Sequence, residues 1–175
     1  MKSDAHFGHK TLVLFRLCLA GLALGLMSLR AESAESTTDR PLLAAGYAVT
    51  NVLRFHRLSG ATIEWRSTPV WRTLRGWVSY STDTHGAYFA GVGGYYGLPF
   101  ADRWEFGLSF GPGYFRADHR IDLGAKVEFR SSVELSYRLR SGRRLAVGFG
   151  HISNGSIGRV NPGSEFVHLL LEMPL

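Results

Sequence analysis

From about residue 41 onward, apolar and polar side chains alternate one by one, in runs of about ten residues separated by Gly, Pro, Asn, Asp and Ser. The stretch 126–140 is the cleanest. Val127, Phe129, Val133, Leu135, Tyr137 and Leu139 oppose Lys126, Glu128, Arg130, Ser132, Glu134, Ser136, Arg138 and Arg140. In 103–114, Trp104, Phe106, Leu108, Phe110 and Tyr114 face one way, and Arg103, Glu105, Gly107, Ser109 and Gly111 the other. A period of two is the signature of strands with two different faces. Eight strands are predicted, over 43–55, 60–67, 72–82, 86–97, 102–114, 126–138, 143–153 and 164–174. No helical period and no long repeat appears in this part of the chain.

A row such as Glu128, Arg130, Glu134 cannot lie in a soluble hydrophobic core. It suits either the wet face of a soluble sheet or the polar interior of a barrel. In 87–96, Tyr88, Ala90, Val92, Gly94 and Tyr96 oppose Ala87, Phe89, Gly91, Gly93 and Tyr95, and the small residues of an inner row leave room for long charged chains opposite. Ten-residue strands, an even count and aromatic residues near strand ends match a small membrane barrel, and closure leaves no sheet edge unpaired. The expectation is all-β: an eight-stranded antiparallel transmembrane β-barrel, its inner Arg and Glu pairing across the lumen. A lipocalin-like soluble barrel, with its apolar row inside, is the alternative. The final strand carries Val167, Leu169, Leu171, Met173 and Leu175 at alternate positions, as a closing strand does, although such strands usually end in an aromatic residue.

Residues 1–31 read differently. Lys2, His9 and Lys10 open the chain, Thr11–Leu29 is apolar except for Arg16, and small or polar residues follow at Ala31, Ser33 and Ala34. This pattern predicts a secretory signal peptide over 1–31, removed from a barrel domain over 32–175; an uncleaved anchor is the alternative. Cys18 lacks the preceding small residue of a lipoprotein signal. The leader carries Lys2, Lys10, Arg16 and Arg30 against Asp4, so only about +3 of the net charge of +6 belongs to the barrel. That removes the case for nucleic-acid binding. It also removes the one cysteine, so no disulfide is expected.

Chemistry concentrates in 145–165. Leu145, Val147, Phe149, His151 and Ser153 share one face of the seventh strand, and Glu165 begins the eighth strand on that same outward face. An imidazole, a hydroxyl and a carboxylate are costly on a lipid-facing surface. They are also the parts of a serine hydrolase. His151 and Ser153 should have Cα atoms roughly 6.6 Å apart. His151 can then serve as general base and later acid, with Glu165 fixing its tautomer. Backbone amides after Ser153 are placed to hold an oxyanion, and Asn154, Gly155, Ser156 and Asn161 are assigned to that support. The plainer reading is a polar rim where a strand leaves the membrane. His56, His85, His119 and His168 show no metal-ligand spacing with a carboxylate, so neither metal nor cofactor is expected. His168 is placed in the lumen near Glu172. Asp83 with His85, and Asp118 with His119 and Asp122, fall in loops.

The run His151-Ile152-Ser153-Asn154, then Asn161-Pro162-Gly163, then Glu165 twelve residues after the serine, resembles the lipid A 3-O-deacylase family (PagL type). The resemblance implies an outer-membrane esterase that removes the 3-O-linked 3-hydroxyacyl chain of lipid A. It carries Ser153 over as nucleophile, His151 as base and Glu165 as its orienting partner. Leu175 departs from the family's aromatic terminus. Lipid A cannot enter a lumen filled by side chains, so the site belongs on the outer wall, where Val147, Phe149 and Leu169 would contact the acyl chain. Arg143, Arg144 and Arg159 are candidates for the substrate's phosphates. The expected partners are lipopolysaccharide and outer-membrane lipid, with a homodimer also allowed. A non-catalytic adhesin or structural barrel and a lipid A acyltransferase are the alternatives.

Overall fold

The computed structural model describes residues 40–54 and 57–175; the leader expected over 1–31 lies outside them. Eight strands form: β1 Leu42–Thr50, β2 Leu58–Arg66, β3 Leu74–Asp83, β4 Tyr88–Ala101, β5 Trp104–Arg116, β6 Val127–Arg138, β7 Arg144–Ser153 and β8 Ser164–Pro174. Each pairs antiparallel with the next, and β8 returns to β1, closing the barrel. The connections 102–103 and 139–143 lie at one end with the start of β1 and the end of β8, where Leu175 N–H donates to Pro41 O at 3.0 Å. Longer connections, 117–126 and 154–163, lie at the other end. Short turns mark the periplasmic side of such barrels, so the 154–163 loop is at the outer surface.

The alternation sorts as expected. Ile63, Val78, Val92, Phe110, Val147 and Leu169 are exposed on the outer wall, while Glu64, Arg66, Ser79, Glu128, Arg130, Glu134 and Glu172 are buried inside. This apolar outer band excludes the soluble alternative, which would put the apolar row in the lumen.

Two layers fill the lumen. Toward the outer end lies an apolar plug that includes Leu58, Phe89, Phe115, Leu123, Ile152 and Phe166. Below it lies an ionic layer centred on Arg66. Its Nε donates to Glu64 Oε1 at 2.7 Å, its Nη1 to Glu172 Oε1 at 2.7 Å, and its Nη2 to Glu134 Oε2 at 2.9 Å. Arg130 pairs with the other Glu64 oxygen and donates to Ser79 Oγ at 3.2 Å. The guanidinium planes stack on rings: Arg66 lies 3.9 Å from the Tyr95 centroid and Arg130 4.0 Å from that of Trp77.

Two expectations are corrected. The small-residue row of β4 makes room for an aromatic ring rather than for charged chains: a Cβ on Gly93 would meet Trp77 Cζ2 at 2.5 Å. His168 is luminal as expected, its Nε2 3.2 Å from Glu134 Oε2, and Glu134 shares Arg66 Nη1 with Glu172. The first strand stops at Thr50 instead of running to 55, because Asn51 adopts φ 57° and gives its N–H to Ser164 Oγ. A left-handed residue cannot continue a strand.

Arg66 is the shared partner of three buried carboxylates; its loss strands Glu172 and leaves Glu64 with only Arg130 and Glu134 with only His168. Arg66→Leu is expected to destabilise the barrel by about 3–5 kcal/mol. The check is the urea midpoint of the detergent-folded protein, followed by its heat-dependent gel mobility.

Candidate active site

His151 and Glu165 are direct cross-strand partners of β7 and β8. Side chains opposite one another on a shared face stand about 5 Å apart at Cβ, and here His151 Nδ1 reaches Glu165 Oε1 at 3.5 Å, both groups half-buried. Ser153 lies two residues further along β7, on the same outward face, at the strand's last position. Its hydroxyl forms no hydrogen bond with His151 here; such contacts often tighten only when substrate is bound. Below them, Phe149 pairs with Val167 and Val147 with Leu169, an apolar strip with Leu169 59 % exposed. On the other flank Ser131 of β6 sits directly opposite His151. It is a hydroxyl in an otherwise apolar outward row, and that interruption of the pattern was its visible signal.

The loop after Ser153 is built around Asn154, which is fully buried. Its side-chain amide donates to Leu123 O at 3.0 Å and Val160 O at 2.8 Å, and its Oδ1 accepts from Ser156 N at 2.9 Å. Its own N–H donates to Asn161 Oδ1 at 3.1 Å. The amides of Asn154 and Ser156 are therefore already taken, and both asparagines shape the turn. Gly155 and Ser156 follow with φ 62° and 70°, a tight left-handed reversal. The Gly155 amide has no acceptor among the described residues.

The far end of the loop seats the imidazole. Gly163 has φ 61°, and a Cβ there would meet His151 Cε1 at 2.5 Å. Backbone angle and proximity each require glycine. The β1–β2 connection holds this segment in place. Asn51 N–H donates to Ser164 Oγ at 3.1 Å, which donates back to Asn51 Oδ1 at 3.1 Å. Val52 N–H donates to Glu165 O at 3.3 Å, and Arg54 Nη2 to Pro162 O at 2.6 Å. Asn51, Arg54 and Ser164 were not legible as site residues, because each acts across loops distant in sequence.

Of the cations expected near substrate phosphates, Arg159 lies in the outer loop. Arg143 and Arg144 do not: Arg143 precedes β7 and Arg144 starts it, at the periplasmic end, roughly 25 Å from His151 along the strand. Arg144 instead pairs with Glu105 at 2.9 Å. Asp83 and Asp118 turn their carboxylates onto backbone amides, Asp83 Oδ1 accepting from His85 N at 2.7 Å and Asp118 Oδ1 from Ile121 N at 2.8 Å. Those bonds are turn-forming.

Among solved structures, the chain is similar to one described as the outer membrane enzyme PagL, with 18% identity and a TM-score of 0.57, covering 77% of this chain and 99% of that one. It is equally similar to Neisserial surface protein A, with 16% identity and a TM-score of 0.59, covering 79% of this chain and 98% of that one. At such identities the likeness shows the barrel fold alone. No curated protein sequence matches the chain. A family model does, the one described as Lipid A 3-O-deacylase (PagL), over residues 44–174, a span that takes in the whole of the loop and strand pair just described. The chain is an outer-membrane β-barrel and belongs to the lipid A 3-O-deacylase (PagL) family.

Proposed function

We propose that this protein is a serine esterase that removes the 3-O-linked 3-hydroxyacyl chain from lipid A, with Ser153, His151 and Glu165 as its triad. One observation carries the reading: His151 and Glu165 meet at 3.5 Å on the lipid-facing wall, with Ser153 on the same row. An imidazole and a carboxylate paired on a lipid-facing wall cost free energy, and catalysis gives them a purpose.

In this reading Ser153 Oγ attacks the ester carbonyl while His151 Nε2 takes its proton. Glu165, at Nδ1, fixes the tautomer and stabilises the imidazolium. The tetrahedral oxyanion needs a donor, and we assign the Gly155 N–H, since its neighbours' amides are engaged. Collapse breaks the bond to the sugar oxygen, which leaves with the proton from His151. Water, deprotonated by the same imidazole, then releases the hydroxy acid from Ser153. The acyl chain would lie along Phe149, Val147 and Leu169, and the sugar and phosphates at the outer surface. Export is assigned to the leader over 1–31.

A non-catalytic surface barrel is the competing reading, because a protein named a surface protein shares the fold and fold does not decide function. An acyltransferase is the other. Mass spectrometry of lipid A from expressing cells separates them: loss of one 3-hydroxyacyl group supports the esterase, an unchanged mass the passive barrel, and a gain the transferase.

Ser153→Ala should abolish that loss while leaving the barrel folded; persistent deacylation would overturn the nucleophile assignment. Glu165→Gln should keep the geometry but lower kcat by about 10²–10⁴-fold, measured on purified lipid A in detergent. Gly163→Ala should displace the imidazole and reduce kcat by about 10²-fold with little change in KM. An unaltered kcat in that variant would mean the ring is not seated by residue 163.

A further inference from the structure

The periplasmic end carries a second concentration of charge. Arg40 precedes β1, Arg103 lies in the β4–β5 turn, Arg138 ends β6, and Arg140 and Arg143 flank the tip of the β6–β7 turn. All five open onto one cleft of about 900 Å³. Its lining contains no acidic side chain. None of the five forms an ion pair among the described residues, whereas Arg66, Arg130 and Arg144 all do. Arg40, Arg103, Arg140 and Arg143 are exposed, and Arg138 spends one N–H on Asp102 O at 2.7 Å. Arg75 donates to the Arg40 carbonyl at 2.9 Å, adding a further cation behind the cleft.

The rest of the lining is apolar, with Leu43, Met173 and Leu175 beside the arginines. Just above Arg103 and Arg138, the Trp104 and Tyr137 rings pack with centroids 4.8 Å apart. Aromatic belts mark the membrane–water boundary. The cleft therefore lies at the headgroup level of the periplasmic leaflet, half cationic and half greasy. That combination suits an amphiphile. Guanidinium forks match phosphate oxygens two at a time, and cations crowded at a low-dielectric boundary keep a strong positive potential. A zwitterionic headgroup would bring an ammonium into that field; an anionic one would not.

We propose that this cleft binds an anionic glycerophospholipid of the periplasmic leaflet, its phosphate on the arginines and its acyl chains along Leu43 and Met173. The site is at the opposite end of the barrel from Ser153 and does not depend on the esterase reading.

The test is native mass spectrometry of the detergent-folded protein with equimolar phosphatidylglycerol and phosphatidylethanolamine. Phosphatidylglycerol should be retained about tenfold better, and the double variant Arg140→Gln/Arg143→Gln should lose about that preference. Equal retention of both lipids, or an unchanged preference in the folded variant, overturns the proposal. Displacement of the lipid by millimolar inorganic phosphate also overturns it, by showing a simple anion site. If the variant does not fold, salt titration of the wild type decides. Retention of phosphatidylglycerol that falls with salt supports the arginine cleft, and retention indifferent to salt overturns it.

Discussion

Eight strands close around a lumen too narrow for anything but side chains, and in this barrel much of the filling is ionic. Arg66 is the keystone. It holds Glu64, Glu134 and Glu172 at hydrogen-bond distance, and Glu134 in turn meets His168. Charges out of water cost free energy unless they are paired, so these positions are mutually dependent: Glu64 also serves Arg130, which stacks on Trp77. The close fit extends to the wall itself. A Cβ on Gly148 would meet His168 Nε2 at 2.1 Å, so that strand must be bare where the imidazole lies.

A filled interior leaves chemistry only the outer wall and the rims. The wall is apolar for most of its height and becomes polar at the top of β7 and β8, where lipid gives way to headgroups. There the cost of exposing His151 and Glu165 is smallest. Rigidity comes from below, through strands anchored on the ionic layer, and from the side, through the β1–β2 connection. A loop holds its side chains in one geometry only when packing and hydrogen bonds behind it fix the turn. Asn154, buried under four hydrogen bonds from its side chain and amide, supplies that support for the turn after Ser153.

The strand pattern was legible because a two-sided sheet between lipid and a polar lumen imposes strict alternation. The eighth strand, 164–174, coincides with the expectation, and most other ends lie within about two residues of it. The fourth strand ran longer, to Ala101, past a register irregularity between Pro99 and Ala101 that periodicity does not register. Asn51 ended the first strand through a left-handed angle and a bond to a residue 113 positions away. Arg66 was equally hidden, since the second and third strands alternate poorly and two of its carboxylate partners, Glu134 and Glu172, lie on other strands. The pairing of His151 with Glu165 was visible because a hairpin converts sequence parity into contact. The loop's internal bonding and the seat under the imidazole were not, because they depend on backbone angles and on packing between separate loops.

The clamp on Glu165 also sets an order of events. Ser164 and Glu165 belong to the last strand of the chain, and the groups that hold them, on Asn51 and Val52, follow its first. That contact spans the seam where the first and last strands of the barrel meet. An unclosed sheet, however complete its hairpins, lacks one wall of the site. The seat of the His151–Glu165 pair is therefore whole only in the closed barrel, because closing the β1–β8 seam and holding that pair are one and the same contact.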